Sequence, residues 1–168
     1  MRKRTVRGES IHWLCSILMV CMAASLSVPS ASAQRKDIAV VVNPNSSVTN
    51  IRFADLRKCF LGEKRTWPGG APVKLIVRAP GSRERIILLR ILAMSESEYK
   101  QYWAAQVFRG EADAEPFTMP SFGMVKEAIK VFPGAISLVD PAEVKPGVEL
   151  KVIKVEGHLP GEDGYPVH

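Results

Sequence analysis

Five consecutive apolar residues, Ile38-Ala39-Val40-Val41-Val42, end abruptly at Asn43-Pro44-Asn45-Ser46. A strand with one wet face alternates apolar and polar residues. This run does not alternate and is mostly β-branched, so both of its faces need cover. It predicts the central strand of a sheet lying between helices. Val73-Lys74-Leu75-Ile76-Val77, Ala135 to Val139 and Leu150 to Val155 read as further strands.

Between these runs the spacing becomes helical. A first helix is predicted over roughly 53 to 61; Ile51 and Leu56 flank its start near Arg52 as a hydrophobic staple, and Gly62 supplies its stop. Ser82 caps a second helix through about Ala93. There Ile86, Ile87, Leu88, Leu89, Ile91 and Leu92 leave almost no polar face, which predicts packing on more than one side. Ser95-Glu96-Ser97-Glu98 is a capping box, with Met94 and Tyr99 as its staple, for a third helix reaching Gly110. Glu111 to Pro120 reads as a polar loop. Ser121 caps a fourth helix that uses Met124, Val125, Ala128, Ile129 and Phe132, and Pro133-Gly134 turns the chain into the next strand. Strands separated by helices predict an α/β domain with a central, mostly parallel sheet and helices on both faces.

The first 33 residues stand outside that pattern. Arg2, Lys3, Arg4 and Arg7 precede a nearly uncharged stretch from Trp13 to Val28, and Ala31-Ser32-Ala33 forms a small-x-small cleavage site. This is the pattern of a secretory signal peptide, and its apolar stretch is short beside the roughly 20 residues of a membrane span. Residues 1–33 are therefore expected to be removed, leaving a domain at 34–168, periplasmic or secreted, with no stable membrane span. The leader holds 4 of the 23 Lys and Arg and 1 of the 17 Asp and Glu, so removing it halves the formal charge of +6. That takes away most of the support for nucleic-acid binding.

Several other chemistries find little support. Cys15 and Cys21 fall in the leader, so Cys59 has no internal partner, and its apolar helical position suits a buried thiol. His158 and His168 lie ten apart without Cys or His at ligand spacing, so no metal is expected. Gly69-Gly70 lacks phosphate-loop spacing, and no Ser, His and Asp pair persuasively, so neither a nucleotide cofactor nor catalysis is expected. Trp67 reads as a packing anchor, Tyr99, Tyr102 and Trp103 as core and rim, and Glu111, Asp113 and Glu115 as a solvated loop.

The informative segment is Val77-Arg78-Ala79-Pro80-Gly81-Ser82-Arg83-Glu84-Arg85, where a buried strand ends, a glycine turn follows and a helix begins. The first amides of a helix lack intrahelical partners and form its positive pole, so an anion can be held there with the Ser82 hydroxyl. Arg78, at the carboxyl end of its strand, can add a bidentate contact to an oxyanion. The structural alternative is that Ser82 only caps and Arg78 pairs with a carboxylate. Glu84 argues for that alternative, because an acid in the first turn competes for the same amides.

Three segments together resemble the phosphate-binding protein family of ABC importers, the periplasmic solute-binding proteins of type II. They are Ile38 to Asn43, Phe53 to Trp67 with its Phe60-Leu61-Gly62-Glu63-Lys64 turn, and Val77 to Ser82. Phe132-Pro133-Gly134-Ala135-Ile136 and Gly164-Tyr165-Pro166 also resemble family motifs. The resemblance implies a single lobe of a periplasmic-binding-protein-like fold, without catalysis. It matches Arg78 to the phosphate-binding arginine and Ser82 to the serine of a serine-glycine-threonine turn, while Arg83 stands in place of the glycine and Glu84 in place of the threonine. Phosphate or a similar oxyanion, held by Arg78, Ser82 and Arg83, is the expected ligand, and Arg78→Ala is expected to abolish binding while leaving stability nearly unchanged. The other expectation is a lobe that has lost its solute and docks onto an envelope partner. A homodimer or a transport partner would supply the wall that a single lobe lacks.

Overall fold

A computed structural model describes residues 37–145 and 150–168; the leader expected at 1–33 lies outside them. The strands are β1 (Ala39–Val42), β2 (Asn50–Ile51), β3 (Lys74–Arg78), β4 (Phe117–Met119), β5 (Ala135–Val139) and β6 (Lys151–Val155). The helices are α1 (Phe53–Phe60), α2 (Arg83–Leu92), α3 (Glu96–Phe108) and α4 (Phe122–Val131), and a 3-10 turn spans Pro141–Glu143.

The strands form one sheet in the order β2-β6-β1-β5-β3-β4. β1 is antiparallel to both β5 and β6, whereas β2 with β6, β3 with β5, and β3 with β4 are parallel. Only β1 therefore runs against the others, and the mostly parallel α/β sheet expected from the sequence is present. Val40 lies opposite Leu138 on one side and Ile153 on the other, which places the Ile38–Val42 run in the middle of the sheet.

The two sides of β1 explain why its sequence does not alternate. Val40 and Val42 join Leu75, Val77, Leu138 and Ile153 in a core with Leu56, Phe60, Leu88 and Trp103 of α1, α2 and α3. Ala39 and Val41 join Ile76 and Val139 in a second core against Val125 and Ile129 of α4. Ser82, Ser95 and Ser121 each accept a backbone amide at the start of α2, α3 and α4, and the predicted capping box at Ser95 and Glu98 is complete. Trp67 is an anchor, its indole donating to the Gly134 carbonyl at 2.9 Å. Tyr102 and Trp103 meet edge to face beneath the Gly62 turn. Cys59 is fully buried, and burial pushes its thiol up to about 12.

Two expectations need correction. α2 does not pack all round: Ile86 is 51% exposed, while Glu84 and Arg85 of the first turn are buried. The segment read as a polar loop at 111–120 contains β4, paired with β3 through Val77 and Thr118. Three residues at a sheet edge are too few to show a period. The C-terminal stretch, outside any helix or strand after Val155, closes the larger core. Tyr165 and Val167 are buried there, the Tyr165 hydroxyl donates to the Ile38 carbonyl at 2.7 Å, and the Ile38 amide donates to the Val167 carbonyl at 2.9 Å.

Candidate functional site

β5, β3 and β4 are parallel, so their carboxyl ends share one edge of the sheet, from which the 3-10 turn, α2 and α4 depart. Arg78 is the last residue of β3. Past it, the Ala79 amide donates to the Met119 carbonyl at 3.0 Å and the Ser82 amide to the Ala79 carbonyl at 3.2 Å, which turns the chain sharply into α2. Gly81 sits at φ 85° in that turn, a conformation that carries little strain only without a Cβ. Ser82 then accepts the Arg85 amide at 3.2 Å, which leaves its own hydroxyl proton uncommitted by the cap.

The Arg78 guanidinium faces Glu84. Their closest atoms, Nε and Oε2, are 3.6 Å apart, with 15% and 8% of the side chains exposed. That distance makes an ion pair and not a hydrogen bond. Among the described residues, Nε and Nη1 of Arg78 are buried with no hydrogen-bond partner. Arg83 is engaged elsewhere: its Nη1 lies 2.6 Å from Asp140 Oδ2 and its Nη2 donates to the Asp37 carbonyl at 3.3 Å. These bonds tie the start of α2 to the end of β5 and the approach to β1. Glu143, in the 3-10 turn, has its carboxyl held above the ordinary value, first by burial and then by the charge of Glu84, with Arg78 acting in the opposite sense.

The structure thus brings Arg78, Ser82 and Arg83 to one edge but turns Arg83 away to an acid. The sequence reading missed Asp140 and Glu143, whose only signal was their position just past a predicted strand. The edge offers the Arg78 guanidinium with idle donors, a helix N-terminus and a hydroxyl; its two arginines, Arg78 and Arg83, stand against Glu84, Asp140 and Glu143. Such a set can hold an anion or an acid side chain. Among the described residues, no three His, Cys, Asp or Glu group as a metal site. A separate cleft of about 400 Å³ opens at the other end of β3, between Lys74, Lys64, Trp103 and Glu115, and includes none of Arg78, Ser82 or Arg83.

No protein-family model and no curated protein matches the sequence. Solved structures do. An ABC-type phosphate transport receptor from Vibrio cholerae superposes with a TM-score of 0.58 at 18% identity, covering 74% of this chain and 48% of its own. The fold is that of phosphate-binding proteins. PstS from Borrelia burgdorferi (TM-score 0.56, 20% identity, 74% of this chain and 49% of its own) has the same fold. So does a phosphate binding protein from Stenotrophomonas maltophilia, at TM-score 0.55 and 15% identity, with 74% of this chain and 40% of its own covered. The chain spans about half the length of the phosphate-binding proteins it matches, or less. Among the described residues, no helix is long and apolar enough to cross a membrane.

Proposed function

We propose that the chain is a non-catalytic binding lobe, periplasmic or secreted, that takes phosphate or a similar oxyanion at the carboxyl end of β3. Arg78 supplies the principal charge and Ser82 a hydroxyl donor; Arg83 adds positive charge only if its pairing with Asp140 opens. The observation that carries this reading is Arg78 itself: a largely buried guanidinium beside a helix N-terminus, with Nε and Nη1 making no hydrogen bond among the described residues. Buried donors are normally satisfied by protein, water or an ion, so the idle Arg78 donors at this strand end leave room for an acceptor. The proteins that share the fold are named for phosphate, and α/β sheets bind ligands beyond the carboxyl ends of their strands. One lobe leaves the anion open to water, which weakens charge contacts. A second copy or a transport partner would complete the wall.

Glu84 and Asp140 favour a second reading, in which acids of the chain itself satisfy the arginines and the lobe serves as an envelope interaction module. Thermal unfolding in millimolar phosphate, against chloride at matched ionic strength, separates the two. A ligand at one hundred times its dissociation constant adds about 2.7 kcal/mol, which is several degrees for a domain of this size. A phosphate-specific shift that vanishes in Arg78→Ala supports the oxyanion reading. Absence of any shift beyond chloride at the highest phosphate, in the native protein and in Glu84→Gln alike, refutes it and favours the docking module.

A further inference from the structure

The first turn of α2 buries two charged residues, and only one has an obvious structural account. Arg85 makes two 2.9 Å bonds to the Glu96 carboxylate and lies 3.9 Å over the Tyr99 ring. Glu84 is 7% exposed, and its contact with Arg78, at 3.6 Å, is too long for a hydrogen bond. Removing two charges from water without hydrogen bonds between them leaves much of the desolvation cost standing. As a stabilising element the pair is poor.

Its placement has another logic. Glu84 is the second residue of α2, at the positive end of the helix dipole, with its carboxylate turned toward the guanidinium at the end of β3. Those are the groups that would receive an oxyanion. We propose that Glu84 is a tethered anion standing at the oxyanion position before Arg78, so that residue 84 decides whether this lobe holds a free oxyanion. The inference rests on reading this edge as an anion site.

The charges around the pair point the same way. Asp140 is matched by Arg83 at 2.6 Å, which leaves Arg78 to face Glu84, with Glu143 held above its ordinary value partly by the Glu84 charge. A phosphate entering here must displace a carboxylate attached to the same helix, or sit beside it and be repelled. Neutralising residue 84 removes both obstacles and leaves the Arg78 donors free.

The test compares native protein with Glu84→Gln, Glu84→Thr and the charge-keeping Glu84→Asp, by phosphate titration of thermal unfolding with chloride as control. The two neutral variants are expected to reach a given phosphate-dependent shift at a phosphate concentration at least tenfold lower than native, equivalent to about 1.4 kcal/mol of binding. Glu84→Asp should not gain, and adding Arg78→Ala to Glu84→Gln should abolish the gain. Should the neutral variants fail to fold in buffer, recovery of the folded state in phosphate but not in chloride supports the proposal, and no recovery overturns it. An Arg78-dependent phosphate shift that is equal in native and neutral variants overturns the role of Glu84 and leaves the site reading intact. No phosphate response in any of them overturns both.

Discussion

Arg78 Nε and Glu84 Oε2 lie 3.6 Å apart, across the turn that joins β3 to α2, with most of both side chains out of water. The pair changes the expected behaviour of Arg78→Ala, which the sequence alone marked as harmless to stability. The substitution leaves the Glu84 carboxylate buried without its counter-charge. Loss of one member of a buried pair costs on the order of 3 kcal/mol. Urea unfolding at pH 7 should show that loss, and Arg78→Ala with Glu84→Gln should recover part of it. An Arg78→Ala midpoint equal to native would show that solvent, and not Arg78, compensates Glu84.

Asn43 is a second case in which one side chain serves a distant element. Its Nδ2 donates to the carbonyls of Ile129 at 2.8 Å, Lys130 at 3.0 Å and Phe132 at 3.3 Å, while its Oδ1 accepts the Asn45 amide at 2.9 Å. These are the open carbonyls at the end of α4. Asn43→Ala should cost about 2 kcal/mol by leaving them unpaired. Asn43→Asp should cost more, since a carboxylate would face carbonyl oxygens. Urea midpoints at constant m decide the order.

Two glycines should respond in opposite degree. A Cβ on Gly134 would overlap the Pro72 carbonyl, and the Gly134 carbonyl already receives the Trp67 indole and the Lys74 amide. Gly134→Ala must displace backbone and should cost at least about 3 kcal/mol. Gly81→Ala meets open space, and only its φ of 85° opposes it, so it should cost about 1 to 2 kcal/mol. Equal losses in the two would contradict this packing.

The link between Glu96 and Arg85 predicts a pH dependence. The Arg85 hydrogen bonds hold the Glu96 carboxyl below its ordinary value of 4.5. A depressed acid adds stability above its unfolded value and loses it as pH falls through the folded one. Glu96→Gln should therefore be less stable than native at pH 7, and the gap should close below about pH 4.5. A gap that stays constant down to pH 3 would assign the loss to packing.

Much of the local structure was legible because its causes are local. The unbroken run at Ile38 to Val42, the serine caps at 82, 95 and 121, and the Pro133-Gly134 turn each carry their signal within a few residues. β4 was not legible, since Phe117 to Met119 becomes a strand only by pairing with β3. Nor was the burial of Tyr165, which depends on reaching Ile38 from the far end of the chain. At the candidate site, the sequence marked Arg78, Ser82 and Arg83 by their place at a strand end and a helix start.

What the sequence determined by itself is the four helices, the strands β1, β3, β5 and β6, and the two-sided core of β1, because hydrophobic period and capping act over a single turn or strand. Only the tertiary structure decided how the charges pair. Arg83 meets Asp140 because β5 and β3 lie side by side with parallel ends, and no spacing in the chain encodes that neighbour. The direction of Glu84 was settled likewise. A residue in the first turn of a helix can point to water or back over the strand before it. The packing of α2 against the sheet turned Glu84 inward, to Arg78, and left Ile86 outside.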